Sequence, residues 1–554
     1  MINRREFIKT AALTGTSTLA APLVTRALPD RAAADYFTVH PFIEENPEAV
    51  FIMRTSVENK YDIEAKKNAG LDFGRSVFVP GDSTGIPITT EIAVKGNLKT
   101  ADPDRYDHDL IMSHTSDAWF TEGVLEGMKE LGIKGEQLHL REVNQPDDFS
   151  RMPFGYADMC ERVGADLRLD LAPSVSSLTE GEDFNWIEVP DGIFYRRIPY
   201  LEPINTPGSW LMNISKFKAH GMGLTLCCKN LQGSVAHNYQ AFCTAYKGSM
   251  SVNPRDLHGD AYDVIKVNFD RHLEAGVPRW DKPGTSFNSG IGMETWVTRT
   301  LDNLSVQHAG LHIIEGIYGR DGQGNGDYGP NPTDQEHEFN STGVSTTGKS
   351  WDFMSNILIF GKDPYSVDIV GHWLGGHEPG NMGLFHCAID RGMSTALDPM
   401  QIPVYLWEAD GTATRVDLTS FERTPLLTYY LCRDYDGQTE HIYHLCDEPY
   451  DYGIATGVNE RSVSAVPDAF VLNQNHPNPF NPLTSISYTV PKAGNTRLEV
   501  FNSAGQLVDV LVDGYRRAGT HLASWNAENN AAGTYFYRLR FEDFTRTKKM
   551  VLVK

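Results

Sequence analysis

The 554-residue sequence has no apolar run long enough to span a bilayer, which takes about 20 strongly apolar residues. Cysteine is scarce: Cys160, Cys227, Cys228, Cys243, Cys387, Cys432 and Cys446 are odd in number and share no repeated spacing, so no iron–sulfur or zinc pattern is present. Positive charge is short as well. The 49 Lys and Arg face 72 Asp and Glu, for a net charge of −23, which argues against a nucleic-acid partner. No nucleotide-binding glycine motif, nucleophile triad or metal motif anchors a reaction class.

What is there begins at the two ends. Asn3-Arg4-Arg5-Glu6-Phe7-Ile8-Lys9 precedes a mildly apolar stretch, Thr10 to Val24, diluted with Thr, Ser and Gly. Ala32-Ala33-Ala34 then offers a small-residue cleavage site before Asp35. Residues 1–34 therefore read as a twin-arginine export signal, with the twin-arginine translocase as partner and the periplasm as first destination. That route carries folded proteins, so it permits a cofactor without requiring one. Removing five basic and two acidic residues with this leader takes the net charge to −26. Residues 468–554 hold ten basic and seven acidic residues, which leaves residues 35–467 at −29. This asymmetry separates two units. In an oxidising compartment Cys432 and Cys446 are the pair to test for a disulfide; buried, unreactive thiols are the default for the others.

The second unit reads as short strands at Thr484–Val490, Arg497–Phe501, Gln506–Leu511, His521–Trp525, Thr534–Phe541 and Lys548–Val553. Asn502-Ser503-Ala504-Gly505 and Ala531-Ala532-Gly533 supply turns. The expectation is a small all-β sandwich of immunoglobulin type. Its motifs are Pro477-Asn478-Pro479-Phe480-Asn481-Pro482, Ile486-Ser487-Tyr488, Val500-Phe501-Asn502, Ala518-Gly519-Thr520-His521 with Trp525, Gly533-Thr534-Tyr535-Phe536-Tyr537-Arg538-Leu539, and the closing Lys549-Met550-Val551-Leu552-Val553-Lys554. Along nearly its whole length this unit resembles the type A C-terminal sorting domain of the type IX secretion system. The resemblance implies recognition by that machinery and delivery to the outer-membrane surface or the medium; it implies no catalysis.

Between the ends, Lys216, Lys218 and His220 lead through Gly221 and Gly223 to Lys229, Asn230 and Gly233. Three lysines and a histidine in fourteen residues stand out in so acidic a region, and interleaved glycines let backbone N–H groups approach a ligand. The functional reading is a phosphate or carboxylate site; the plain alternative is a solvated face. Asp363 and Pro364 form a helix N-cap and first turn. Asp368 and His372 follow one turn apart, as ligands or an acid–base pair need, or as a satisfied interior carboxylate and a flanking histidine. Glu315, at a strand end, is placed to face a ligand crevice. In the glycine-rich loop, Asp321, Asn325 and Asp327 offer oxygen atoms of the kind calcium takes, but without the closing glutamate of an EF-hand; a plain substrate-shaped loop is the competing reading. Strand alternation sets His441 and His444 on opposite faces, which removes a zinc site there.

These segments resemble the domain of unknown function 362 family. The family's Lys-x-Lys-x-His segment falls on Lys216, Lys218 and His220, and its Lys-Asn-x-x-Gly turn on Lys229, Asn230 and Gly233. An apolar strand region from Asn303 to Ile317 and the run Ile357 to Asp368 complete the likeness, which spans roughly residues 45–410. The resemblance draws Asp368, but not His372, toward the site. Some relatives append a cysteine-rich ferredoxin segment, and this chain has none.

Helical spacing at Thr115–Leu131 and strand-like runs at Gln137–Val143, Trp186–Glu188 and Ala309–Ile314 predict an α/β core with a mixed or mainly parallel sheet and helices on both faces. The expected divisions are the leader 1–34, the core 35–410, an extension and linker 411–467, and the tail 468–554. The expected function is an exported, surface-directed protein whose core binds an anionic small molecule. Lys216, Lys218, Lys229, Asn230 and Gly233 would hold it, and His220, Asp368 or Glu315 would move a proton. The alternatives are a non-catalytic surface binding or scaffold protein, and a redox protein whose cofactor the sequence does not reveal.

Overall fold

The computed structural model describes residues 35–98, 115–142, 155–168, 175–220, 223–236, 239, 253–277, 290–320, 352–426 and 450–452. It also describes 470–553 except 473–474, 476–477, 491–493, 517–518, 528–529 and 542–543. The leader, the loop carrying Asp321, Asn325 and Asp327, the histidines His441 and His444, and the thiols Cys243, Cys432 and Cys446 lie outside the described residues.

Runs of β-branched and other apolar residues, buried on both sides, form the principal sheet. Its eleven strands are β1 Val50–Arg54, β2 Ile92–Gly96, β3 Leu138–Arg141, β4 Asp166–Arg168, β5 Trp210–His220, β6 Gly223–Thr225, β7 Leu311–Arg320, β8 Asp352–Phe353, β9 Ile357–Gly361, β10 Val404–Trp407 and β11 Ala413–Arg415. The order is β11-β10-β1-β9-β7-β5-β2-β3-β4, with β6 paired to β5 and β8 to β7. Strands β7, β5, β2, β3 and β4 run parallel, whereas β9 is antiparallel to both its neighbours, β7 and β1. The sheet is therefore mixed, as expected.

Alternate strand residues bury opposite ways. Leu358 and Phe360 join the layer made with α1 Ile63–Val77, α2 Ala118–Lys129 and α3 Tyr156–Val163. Ile357 and Ile359 join the layer made with α4 Cys227–Asn230, α5 Ala261–Glu274, α6 Gly290–Val306, α7 Pro364–Leu374 and α8 Gly383–Asp390. The chain leaves β2 through α2 toward β3, and leaves β5 through α6 toward β7 on the other side, so adjacent β2 and β5 form a point where the winding reverses. Such points open a crevice at the carboxyl ends of the strands.

One expectation needs revising. The apolar region from Asn303 to Ile317 is the end of α6 followed by β7. The division at residue 410 falls inside the β10–β11 hairpin, and Leu418, Phe421 and Leu426 still pack in the core. At the other end, strands 471–472, 483–490 and 519–526 form one antiparallel sheet, and 494–502, 507–516, 533–541 and 544–552 a second. Both enclose a core containing Trp525, Tyr488, Leu498 and Tyr537. The Asn502–Gly505 turn forms as read: the Asn502 side chain accepts from Ala504 N and Gln506 N, and Gly505 takes a φ of 77°.

Candidate functional site

Parallel β2, β3, β5 and β7 direct their carboxyl ends to one edge, and charged side chains gather there. Lys216 of β5 lies directly across from Glu315 of β7, after which the register breaks and the next partners are Lys218 and Arg320. Irregularities of this kind re-aim side chains next to functional sites. Lys216 Nζ donates to Glu315 Oε2 at 2.8 Å and stands 3.4 Å from the centre of the Tyr318 ring, with both charged side chains fully buried. Glu315 Oε2 also accepts from the Asp117 N–H at 3.0 Å. Asp117 caps α2 by accepting from Trp119 N and Phe120 N, and its second oxygen accepts from Lys66 Nζ at 2.7 Å and from the Tyr318 hydroxyl at 3.0 Å. Lys66 and Asp117 are likewise fully buried.

A second cluster straddles the reversal point. Lys95 of β2 donates to Glu142 Oε2 at 2.7 Å and to Asn230 Oδ1 at 3.1 Å. Asn230 Nδ2 in turn donates to Asn213 Oδ1, Lys95 O and Ile214 O. A Cβ at Gly233 would sit 1.9 Å from Glu142 Oε1 and 2.8 Å from Lys95 Nζ, so glycine is needed for the backbone to approach this pair. Burial pushes Lys95 down, against the opposing pull of Glu142. Burial also pushes Lys216 down and Glu315 up, each opposed by the other's charge. Both members of that pair are thus displaced toward their neutral forms.

The structure brings Lys216, Glu315, Lys218, Asn230 and Gly233 to the region of the reversal point and gives each a definite neighbour. Lys218 is buried, and His220, which ends β5, and Lys229 on α4 are half-buried. Asp368 accepts from Cys227 N at 2.7 Å and Cys228 N at 2.9 Å, tying α7 to the start of α4. Burial raises its carboxyl to about 7, against those two N–H groups. His372 Nδ1 donates to the Asp368 main-chain carbonyl at 2.8 Å, so the Asp368 carboxylate and this imidazole face different partners, the arrangement of a satisfied interior carboxylate beside a flanking histidine. Asp363 caps α7 as read, accepting from Ser366 N at 2.8 Å.

The sequence reading missed Lys66, Lys95, Asp117, Glu142, Tyr318 and Arg320. Lys95 had a visible signal, because a lysine inside Ile92-Ala93-Val94-Lys95-Gly96 interrupts an otherwise buried strand. Arg320 ends β7 almost fully buried; its Nη1 donates to Asp352 Oδ1 at 3.2 Å. Its Nε and Nη2 have no acceptor among the described residues. These two nitrogens form the side of a guanidinium that grips a carboxylate or phosphate with two parallel hydrogen bonds.

Against known proteins, residues 475–554 match the family described as the secretion system C-terminal sorting domain. The chain therefore ends in a type IX sorting tail and is a secreted or cell-surface protein. No curated protein matches it. Among solved structures it is similar to dimeric latent PorU from Porphyromonas gingivalis, at 17% identity over 15% of this chain and 9% of that one, with a TM-score of 0.14. It is also similar to PorZ, described as an essential surface component of the type IX secretion system of the same organism, at 15% identity over 16% of this chain and 12% of that one, with a TM-score of 0.12. Among the described residues no helix is long and apolar enough to cross a membrane.

Proposed function

We propose that the core binds a small carboxylate- or phosphate-bearing molecule at the carboxyl edge of the sheet, and that the Lys216–Glu315 pair moves a proton on it. The observation that carries this reading is Arg320, a buried guanidinium with two N–H-bearing nitrogens unmatched among the described residues, set across from Lys218 in the β5–β7 register. Leaving such donors unsatisfied costs about 1–3 kcal/mol, which an anionic ligand offsets. Lys218 and Lys229 supply further cationic contacts in this reading. Asn230 and Asp368 hold Lys95 and α4 in place, and His220 is the other proton carrier. The twin-arginine leader, the kinship of residues 45–410 with the domain of unknown function 362 family and the immunoglobulin type of the tail belong to the same proposal. The chain would fold in the cytoplasm, cross the inner membrane folded, and be handed to the type IX machinery.

Thermal unfolding of the full chain with inorganic phosphate or citrate tests the site. Saturation at 100 times Kd raises stability by about 2.7 kcal/mol, and Arg320→Met should abolish the shift. An equal shift in Arg320→Met, or none in the folded wild type with either anion, overturns the assignment. A non-catalytic surface binding protein is the second reading, favoured by the direct ion pair that already engages Lys216 and Glu315 with each other. Under that reading the wild type binds the anion without turning it over, and Glu315→Gln leaves the anion-dependent thermal shift unchanged.

A further inference from the structure

Away from this edge, three helices each deliver one metal-ligating side chain to a common point. His272 near the end of α5, Glu294 near the start of α6 and Cys387 in α8 are all buried, and their ligand atoms lie within 4.8 Å of one another. His272 Nδ1 is 2.9 Å from Glu294 Oε2 and 3.8 Å from Cys387 Sγ. Bonds of about 2.0–2.1 Å to nitrogen and oxygen and about 2.3 Å to sulfur set tetrahedral edges of roughly 3.3 Å and 3.6 Å. These two separations depart from those edges by less than half an ångström, and the third, between Glu294 and Cys387, lies within 4.8 Å.

A second, independent feature matches a metal ligand's outer support. The far imidazole nitrogen, His272 Nε2, is 2.9 Å from Asp390 Oδ2, and that carboxylate also accepts from Arg271 Nη2 at 2.8 Å. A carboxylate on the distal nitrogen holds the proton there and frees the near nitrogen for a metal. Cys387 and Asp390 sit three residues apart on α8, so one helical turn supplies both a ligand and the support of another. The Asp390 side chain is 37% exposed, which gives the cluster an opening to solvent.

We propose that His272, Glu294 and Cys387 bind a divalent cation of the zinc class, with Asp390 positioning His272. A thiolate, an imidazole and one carboxylate suit zinc or cobalt, whereas calcium and magnesium require oxygen donors. Three protein ligands leave a fourth position for water or a small ligand.

The test uses the full chain, purified without affinity-tag metals, treated with chelator and titrated with Co2+. The expected result is uptake of a single cobalt ion per chain, with intense visible bands of a tetrahedral site and a near-ultraviolet thiolate-to-cobalt band that disappears in Cys387→Ser. Asp390→Asn, altered at a partly exposed position, should keep the thiolate band and weaken affinity about 10–100-fold. Should Cys387→Ser fail to fold, the Asp390→Asn affinity and the cobalt-induced rise in wild-type melting temperature decide the question. No cobalt uptake by natively folded wild type overturns the site and leaves an ion-pair cluster; so does a thiolate band unchanged in Cys387→Ser, or an affinity unchanged in Asp390→Asn.

Discussion

Lys216 and Glu315 show why a residue's environment matters more than its type. Taken singly, each is a common surface residue; fully buried and in register across two parallel strands, they form one electrostatic unit. Removing one member leaves an uncompensated buried charge, a loss of about 3–5 kcal/mol. Lys216→Met should therefore lower the urea midpoint far more than Lys266→Met, whose lysine pairs with Asp270 at the surface, where such pairs contribute about 0–1 kcal/mol. Glu122 gives a pH test. Burial alone would raise its carboxyl, but Arg162 and Lys67 outweigh burial and hold it below the ordinary value. Its contribution is complete above the unfolded value of about 4.3 and is lost as pH falls through the lower folded one. Glu122→Gln should destabilise by about 1–2 kcal/mol at pH 7, with the gap closing toward pH 3 in denaturant titrations. The metal cluster was illegible in the sequence for a related reason. Its ligands are separated by 22 and 93 residues, and only the packing of α5, α6 and α8 makes them neighbours.

At the scale of elements, periodicity revealed segments that keep some solvent-facing positions, such as Glu126 and Lys129 in α2, and missed one buried through fifteen consecutive residues. The α2 helix and the tail strands carry alternating or striped patterns and were read within a few residues. By contrast, α6 is buried from Gly290 to Leu304. A helix buried on every side, with Glu294, Arg299 and Asp302 interleaved among its apolar residues, shows no clean stripe, and its end was taken for strand. The α1–α2 pair explains how Lys66 reaches Asp117. Gly70 and Gly74 face Phe120, Val124 and Gly127, while Gly123 faces Lys67 and Leu71, so the two backbones touch. A Cβ at Gly123 would lie 2.0 Å from Lys67 O. Gly123→Ala should destabilise by about 1–3 kcal/mol through overpacking, despite the better helix propensity of alanine. Gly259→Ala meets nothing within 4 Å and should stay near wild type in the same melting experiment.

For the whole molecule, the address and the proposed anion site reside in separate stretches of chain. The seven tail strands bury their own core of Trp525, Tyr488, Leu498 and Tyr537, and the principal sheet draws all its strands from residues before 416. Deleting residues 468–554 should abolish appearance at the surface or in the medium while the truncated chain retains the anion-dependent thermal shift of the full one. Fractionation by compartment and a melting curve check the two halves of that statement. The strand order also dictates when the core can exist. β1, complete by residue 54, lies between β9 and β10, whose residues follow some 300 and 350 positions later. Both its hydrogen-bonding edges stay open until nearly the entire core has left the ribosome. High contact order of this kind makes folding slow and exposes unpaired strands to aggregation. The nascent chain thus depends on being shielded during synthesis, and its folding is an event of the finished polypeptide.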